Sequence, residues 1–231
     1  MTHGAQFSPE IIAAFEMLID PTYPQHDPFA GPGVRLGNLA DSLGFILTGT
    51  EIEASFIVDP RIKHGDATDY TTYPPVSFHI VTSPAYPNGM ADSWHANDDS
   101  KRNTYRAWIK EIEGEDRELH PNNMGRYGYR GTGPQSRKRQ EYWKLAIDTV
   151  HCWAGCERAL VNVSDFIWSK DGHEVREPVV AGWRMVLEQE GFRTVRTHHV
   201  GTQRNGYGAN GEVRVETEAI IDVRRYPTYD D

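Results

Sequence analysis

The stretch Asp27-Pro28-Phe29-Ala30-Gly31-Pro32-Gly33 runs directly into Val34-Arg35-Leu36-Gly37-Asn38-Leu39-Ala40-Asp41-Ser42-Leu43, and this junction decides the fold. Apolar residues at 36, 39, 40 and 43 keep a helical period, so a glycine turn opens a helix. Turns of this kind bring a ligand close to the backbone and aim amides at it, which is how dinucleotide and other adenosine-containing cofactors are commonly held. The spacing Gly31-x-Gly33-x-x-x-Gly37 departs from the dehydrogenase pattern, in which glycines stand at the first, third and sixth places.

Three further signals follow at strand-plus-helix intervals. Phe45-Ile46-Leu47-Thr48-Gly49-Thr50-Glu51-Ile52-Glu53 is a short apolar strand ending in an acid, and Glu51 stands about where such folds place a carboxylate on ribose hydroxyls. In Ile62-Lys63-His64-Gly65-Asp66-Ala67-Thr68-Asp69-Tyr70, Asp66 follows a brief extended run and can accept from an adenine amine. Each acid taken alone is more often a helix cap or a solvated loop residue. Last, Val76-Ser77-Phe78-His79-Ile80-Val81 leads into Thr82-Ser83-Pro84-Ala85-Tyr86-Pro87, a small hydroxyl, a proline turn and an aromatic at a strand's end. The lone pair of a nucleobase amine is delocalised into the ring, so acceptors must draw its hydrogens out of plane before it can attack. The Ser83 hydroxyl and Pro84 carbonyl can be those acceptors, and Tyr86 can stack on an extruded base. Alone, such a tetrad is more often a plain turn after a buried strand; in this order the four signals support one another.

The ordered motifs resemble those of the S-adenosylmethionine-dependent DNA amino-methyltransferases over roughly the first ninety residues. Phe7 and Ser8, in Phe7-Ser8-Pro9-Glu10, look like that family's N-terminal cofactor-capping segment, and Asp27, Pro28, Phe29, Ala30, Gly31 and Gly33 look like its loop under the methionine part of the cofactor. Glu51 matches the ribose-binding acid, Asp66 with Ala67 the adenine contact, and Ser83, Pro84 and Tyr86 the catalytic tetrad. Two departures stand out: Ala85 replaces the family's second proline, and Tyr23-Pro24-Gln25-His26 is more polar than a buried first strand. The resemblance implies an α/β, Rossmann-like methyltransferase fold, a mainly parallel seven-stranded sheet with a C-terminal antiparallel hairpin, and S-adenosylmethionine as cofactor. A serine-type tetrad leans toward the cytosine 4-amino group over the adenine 6-amino group within that family.

Methylation at carbon 5 of cytosine is excluded by chemistry, since it needs a cysteine nucleophile, normally in a Pro-Cys pair, and no Pro-Cys dipeptide occurs. The only cysteines, Cys152 and Cys156, sit in Tyr142 to Cys156, which reads as one helix with both thiols packed on a shared face. Adjacent His198 and His199 would point to opposite faces of a strand, so no metal site is expected. With 231 residues, two cysteines and no apolar run of membrane-spanning length, a cytoplasmic enzyme of one large domain plus an insertion is expected.

Net charge is −9, but it is unevenly spread: −10 over residues 1–100, +5 over 101–144 and −4 over 145–231. The middle stretch is expected to be an insertion (91–144) between the two parts of the catalytic, S-adenosylmethionine-binding domain (1–90 and 145–231). Its Arg102, Arg106, Arg126, Tyr127, Tyr129, Arg130, Arg137, Lys138 and Arg139, interleaved with Gly, suit phosphate contacts and base stacking on DNA. A basic surface loop is an equal reading of the same residues. Downstream, residues 159–168 read as a strand, 177–192 as a helix with Pro178 near its start and Gly191 at its end, and 194–200 with 213–223 as a closing hairpin around the glycine-rich tip 201–211. A site-specific DNA methyltransferase, as in restriction-modification, working as a homodimer or with a recognition subunit, is thus expected. The rivals are an RNA or nucleotide amino-methyltransferase, a nicotinamide oxidoreductase, and a non-catalytic binding protein on the same fold.

Overall fold

Ser8 accepts the Ile11 N–H and Pro9 takes the first helical position, so α1 (Pro9–Leu18) starts where those two residues direct it. The chain continues through β1 (Gln25–Asp27), α2 (Val34–Leu43), β2 (Leu47–Glu51), β3 (Ile62–His64), β4 (Phe78–Thr82), α3 (Tyr105–Glu113), α4 (Arg137–His151), β5 (Cys156–Val163), β6 (Phe166–Lys170), β7 (His173–Glu177), α5 (Val179–Gln189), β8 (Phe192–Gly201) and β9 (Thr217–Arg225). This computed structural model describes residues 7–85, 105–115, 117–127, 137–170, 173–202 and 217–226. Among the described residues no helix is long and apolar enough to cross a membrane.

Seven strands form one sheet in the order β3-β2-β1-β4-β5-β9-β8. The first five pair in parallel, and β9 lies antiparallel to both β5 and β8. The expected mainly parallel sheet with a closing antiparallel hairpin is therefore present. Alternate residues of the central strands feed two cores. Ile80, Val161 and Ile221 pack with Tyr142 of α4 and Trp183 of α5, whereas their neighbours Val81, Leu160 and Ile220 pack with Phe15 of α1 and Leu36 of α2. Burying each of these large apolar side chains contributes about 1.5–3 kcal/mol.

Several elements differ from the sequence reading, each for a local reason. Gln25-His26-Asp27 is a fully buried strand despite its polarity. The Gln25 amide donates to the Asp20 and Tyr23 carbonyls, and His26 Nδ1 meets Thr48 Oγ1 at 2.9 Å, so these groups enter the sheet with partners, while His26 Nε2 is buried with none among the described residues. The helix read through Cys156 stops at His151; after a turn at Trp153-Ala154-Gly155, Cys156 opens β5, and the two thiols share no helix face. The single strand expected over 159–168 is two, because β6 leaves the main sheet to pair with β7. α4 begins at Arg137, so the boundary drawn at 144 falls inside a helix. The hairpin tip falls largely on residues 203–216, outside the described residues.

Gly49 sits where β2 passes β1. A Cβ there would lie 2.9 Å from the Asp27 carbonyl oxygen, 2.7 Å from Ile62 Cδ1 and 3.0 Å from Ala30 Cβ, and the first of these contacts is backbone. Gly49→Ala is expected to cost about 1–3 kcal/mol in urea denaturation. At Gly201 an added Cβ meets nothing within 4 Å, so Gly201→Ala should stay within about 0.5 kcal/mol of the parent.

Candidate active site

β1 and β4 are neighbours in the sheet, and the connection leaving β1 runs to β2 on one side whereas the connection leaving β4 runs to β5 on the other. Ligands of open parallel sheets bind beyond the carboxyl ends of the strands at such a reversal. Asp27 stands there, 2% exposed, its Oδ1 accepting from Thr82 Oγ1 at 2.5 Å and from the Phe29 N–H at 3.0 Å. Burial pushes its carboxyl up to about 7 despite both hydrogen bonds. At the end of β2, Glu51 takes the Gly31 N–H on Oε2 and the Glu53 N–H on Oε1, each at 2.9 Å. Burial also lifts this carboxyl to about 7, with the neighbouring Glu53 and Asp27 charges adding to the shift. The glycine loop reaches Glu51 because Gly31 and Gly33 hold φ of 56° and 71°. Gly33 and Gly37 serve packing as well: a Cβ at Gly33 would lie 2.4 Å from Ile62 Cγ1, and one at Gly37 would lie 2.1 Å from Asp59 Oδ2.

Phe7, Phe29, Ala30, Gly33, Arg35 and Ser83 line one narrow cleft of about 20 Å³ beside this loop. Ser83, the one tetrad residue in this lining, and the glycine loop, about fifty residues apart in sequence, thus share one crevice. Phe7 is held over it by an edge contact with Phe15 at 5.1 Å and by the Arg35 guanidinium on its carbonyl. Ser8, matched to the capping segment, caps α1. Pro28 and Ala67 are buried beside their acids, as is Pro84 after Thr82. Behind the tetrad, Trp183 Nε1 donates to the Tyr142 hydroxyl at 3.1 Å, and that hydroxyl donates to the Ala85 carbonyl at 3.0 Å. A buried two-link chain therefore fixes the turn at the position lacking the second proline. Tyr86 lies outside the described residues.

The segment 117–127 covers the ends of β2 and β3. Glu53, 2% exposed, accepts from Arg117 Nη1 at 2.9 Å, the His120 N–H at 2.7 Å and Asn123 Nδ2 at 3.0 Å. Asn122 Nδ2 donates to Asp66 Oδ2 at 2.7 Å. Of the residues read as facing DNA, Arg126 donates to the Leu119 carbonyl, the Tyr127 hydroxyl to the Pro121 carbonyl, and Arg139 pairs with Glu177 at 2.8 Å. Arg106 lies on α3, and Arg137 and Lys138 on α4; Arg102, Tyr129 and Arg130 lie outside the described residues. Sequence reasoning missed Thr82, Tyr142, Trp183, Glu53 and Asn122. Only Thr82, a hydroxyl closing an apolar run, left a local signal; the others matter through long-range contacts.

Two buried carboxyls held near neutrality favour a ligand that carries positive charge and hydroxyl donors, which deprotonated carboxylates accept. Strand order and reversed last strand together are those of the Rossmann-like methyltransferase fold. No protein-family model matches the chain, and no curated protein matches it in sequence. Among solved structures it is similar to TrmN from Thermus thermophilus, with 13% identity, a TM-score of 0.48, and coverage of 94% of this chain and 48% of that one. The chain thus spans about half the length of TrmN. It is also similar to a TehB-like SAM-dependent methyltransferase from Corynebacterium glutamicum, with 12% identity, a TM-score of 0.48, and coverage of 96% of this chain and 90% of that one. A third is the glycopeptide N-methyltransferase MtfA complexed with S-adenosylmethionine, with 11% identity, a TM-score of 0.46, and coverage of 96% of both chains.

Because the folded Asp27 carboxyl is raised from 3.8 to about 7, the native state holds a proton that the unfolded chain releases between those values. Its contribution to stability is complete below about pH 4 and is lost as pH rises through about 7. Asn mimics the protonated acid, so Asp27→Asn should gain on the parent steadily between pH 4 and 7 in paired denaturation curves. A pH-independent gap between the two would count against the raised carboxyl.

Proposed function

We propose that this protein is an S-adenosylmethionine-dependent methyltransferase acting on an exocyclic amine of a DNA base, the cytosine 4-amino group ahead of the adenine 6-amino group. One observation carries the reading: Ser83 of the Ser-Pro-Ala-Tyr tetrad lines the same crevice as the glycine loop, with buried Asp27 and Glu51 at the adjoining strand ends. The ordered sequence motifs supply the DNA part, and the basic stretch 101–144 supports it.

The donor and acceptor chemistry of the residues suits the cofactor, and the cleft of about 20 Å³ beside the glycine loop, room for about one water, must widen to admit it. Each Glu51 oxygen keeps a lone pair beyond its backbone N–H, so the carboxylate can accept from the two ribose hydroxyls. Asp27, with Thr82 on one oxygen, can face the cationic methionine end beneath Phe7. When bound, S-adenosylmethionine supplies an electrophilic methyl carbon on a positively charged sulfur. The Ser83 hydroxyl and the Pro84 carbonyl accept the hydrogens of the target amine, which turns its lone pair toward that carbon. Half-buried Ser83 would let the proton that the amine gives up on methylation pass to water. Tyr86 would stack on the extruded base. Orientation and exclusion of water account for most of the rate, because no covalent enzyme intermediate is needed.

Nucleoside mass spectrometry on duplex DNA and on structured RNA incubated with the protein and labelled cofactor tests this. Methylated cytosine or adenine amines are expected in DNA, with Ser83→Ala slowing the reaction about 100-fold or more. Label found in RNA alone would replace the DNA reading. Cofactor binding without transfer to either would leave a binding protein.

The same acids predict a pH dependence. Cofactor affinity should strengthen from pH 5.5 to 7.5 as Asp27 and Glu51, both near 7, lose their protons. Calorimetry on Asp27→Asn should show weaker binding and a flatter pH profile.

A further inference from the structure

α4 and α5 approach closely where Gly182 meets Trp143: a Cβ at Gly182 would lie 2.3 Å from Trp143 Cη2. The approach sets Tyr142 beside Trp183, at 1% and 0% exposure, inside the apolar cluster that also holds Ile80 and Val161. Phenylalanine in place of Tyr142 would fill the same space, so packing alone does not call for a hydroxyl here. A polar group in such a core is costly unless it is hydrogen-bonded. Trp183 Nε1 donates to the hydroxyl at 3.1 Å, and the hydroxyl donates onward to the Ala85 carbonyl at 3.0 Å. Both links run in the same direction, so each polarises the other.

The chain of bonds meets the Ser83-Pro84-Ala85-Tyr86 turn at a residue without a ring restraint. Pro84 fixes its own φ, whereas Ala85 has no such lock. Holding the Ala85 carbonyl fixes the plane of the peptide that follows it. Ala85 and Phe29, the latter from the glycine loop, both pack against the cluster that contains Tyr142. The turn and the loop that meet at the crevice are thereby referred to one wall.

Resting on the function proposed above, we infer that Tyr142 is a positioning residue for methyl transfer: its hydroxyl, oriented by Trp183, holds the Ala85 carbonyl and so sets the angle at which the target amine meets the methyl group. Neither Tyr142 nor Ala85 lines the crevice beside the glycine loop, so cofactor binding does not draw on this bond. Loss of the hydroxyl then slows transfer and leaves cofactor affinity in place. A proline at 85 would supply the same restraint covalently, and among the described residues no hydrogen bond engages the Ala85 N–H that proline removes.

The test is a double-mutant cycle on the full chain, with duplex DNA and labelled cofactor for rates and calorimetry with S-adenosylhomocysteine for affinity. Tyr142→Phe should lower kcat about tenfold or more, with KM for DNA and S-adenosylhomocysteine affinity within about twofold of the parent. In the Ala85→Pro background the same substitution should lower kcat less than about twofold. Circular dichroism of the variants should match the parent's at the assay temperature, since the ring at 142 is kept. Affinity falling in step with kcat would mark a merely structural role and overturn the inference. So would an equal loss in the proline background. An Ala85→Pro rate below that of Tyr142→Phe would overturn it too, since the turn would then need torsions that proline forbids. An active parent whose rate Tyr142→Phe leaves unchanged sinks the inference alone; a parent that transfers no methyl group sinks the proposed function and the inference with it.

Discussion

A single short hydrogen bond, from Thr82 Oγ1 to Asp27 Oδ1, joins the ends of β1 and β4 at the point where the strand order reverses. It does two things at once. It helps to keep a carboxylate in a place where burial strongly disfavours its charge, and it ties the tetrad to the strand that carries the glycine loop. The crevice between Ser83 and that loop exists because these two ends are held side by side.

The acids around it follow a common rule. Asp27, Glu51 and Glu53 are all buried at the carboxyl ends of β1 and β2, a mutual repulsion that an apolar core would not tolerate. Asp27 and Glu51 are held by hydroxyl and backbone N–H donors, and only Glu53 has an arginine among the contacts described. Backbone donors lower the cost of burial without neutralising the charge, so Asp27 and Glu51 remain poised near 7 and responsive to a cation or a proton. This arrangement costs stability and, on the proposed function, leaves a place for positive charge.

The segment 117–127 shows how an insertion becomes part of a core. Glu53 receives donors from Arg117, His120 and Asn123, and Phe56 packs with Ile109 and Leu119. Arg126 and Tyr127, conspicuous in sequence as basic and aromatic residues between glycines, make their described hydrogen bonds within the same segment. Composition describes what a side chain can contact, and here the nearest carbonyls accept first.

The sequence by itself determined the order of the elements around the glycine loop and placed Asp27, Glu51, Asp66 and Ser83 at or just beyond strand ends, because glycine turns, helical periods and strand ends are local properties that neighbouring residues settle. It misjudged Gln25-His26-Asp27, whose polarity argued against burial, and Cys156, which left the helix pattern to begin a strand; in both places the deciding contacts came from Ile46 just before β2 and from Leu47, Thr48 and Phe78 on neighbouring strands. Only the tertiary structure decided that Tyr142 and Trp183 would brace the Ala85 turn, that Glu53 would anchor a loop more than sixty residues away, and that Asn122 would reach Asp66. A hydrogen bond acts over about 3 Å whatever the sequence separation, so such partners carry no periodicity or motif and emerge once folding has brought them together.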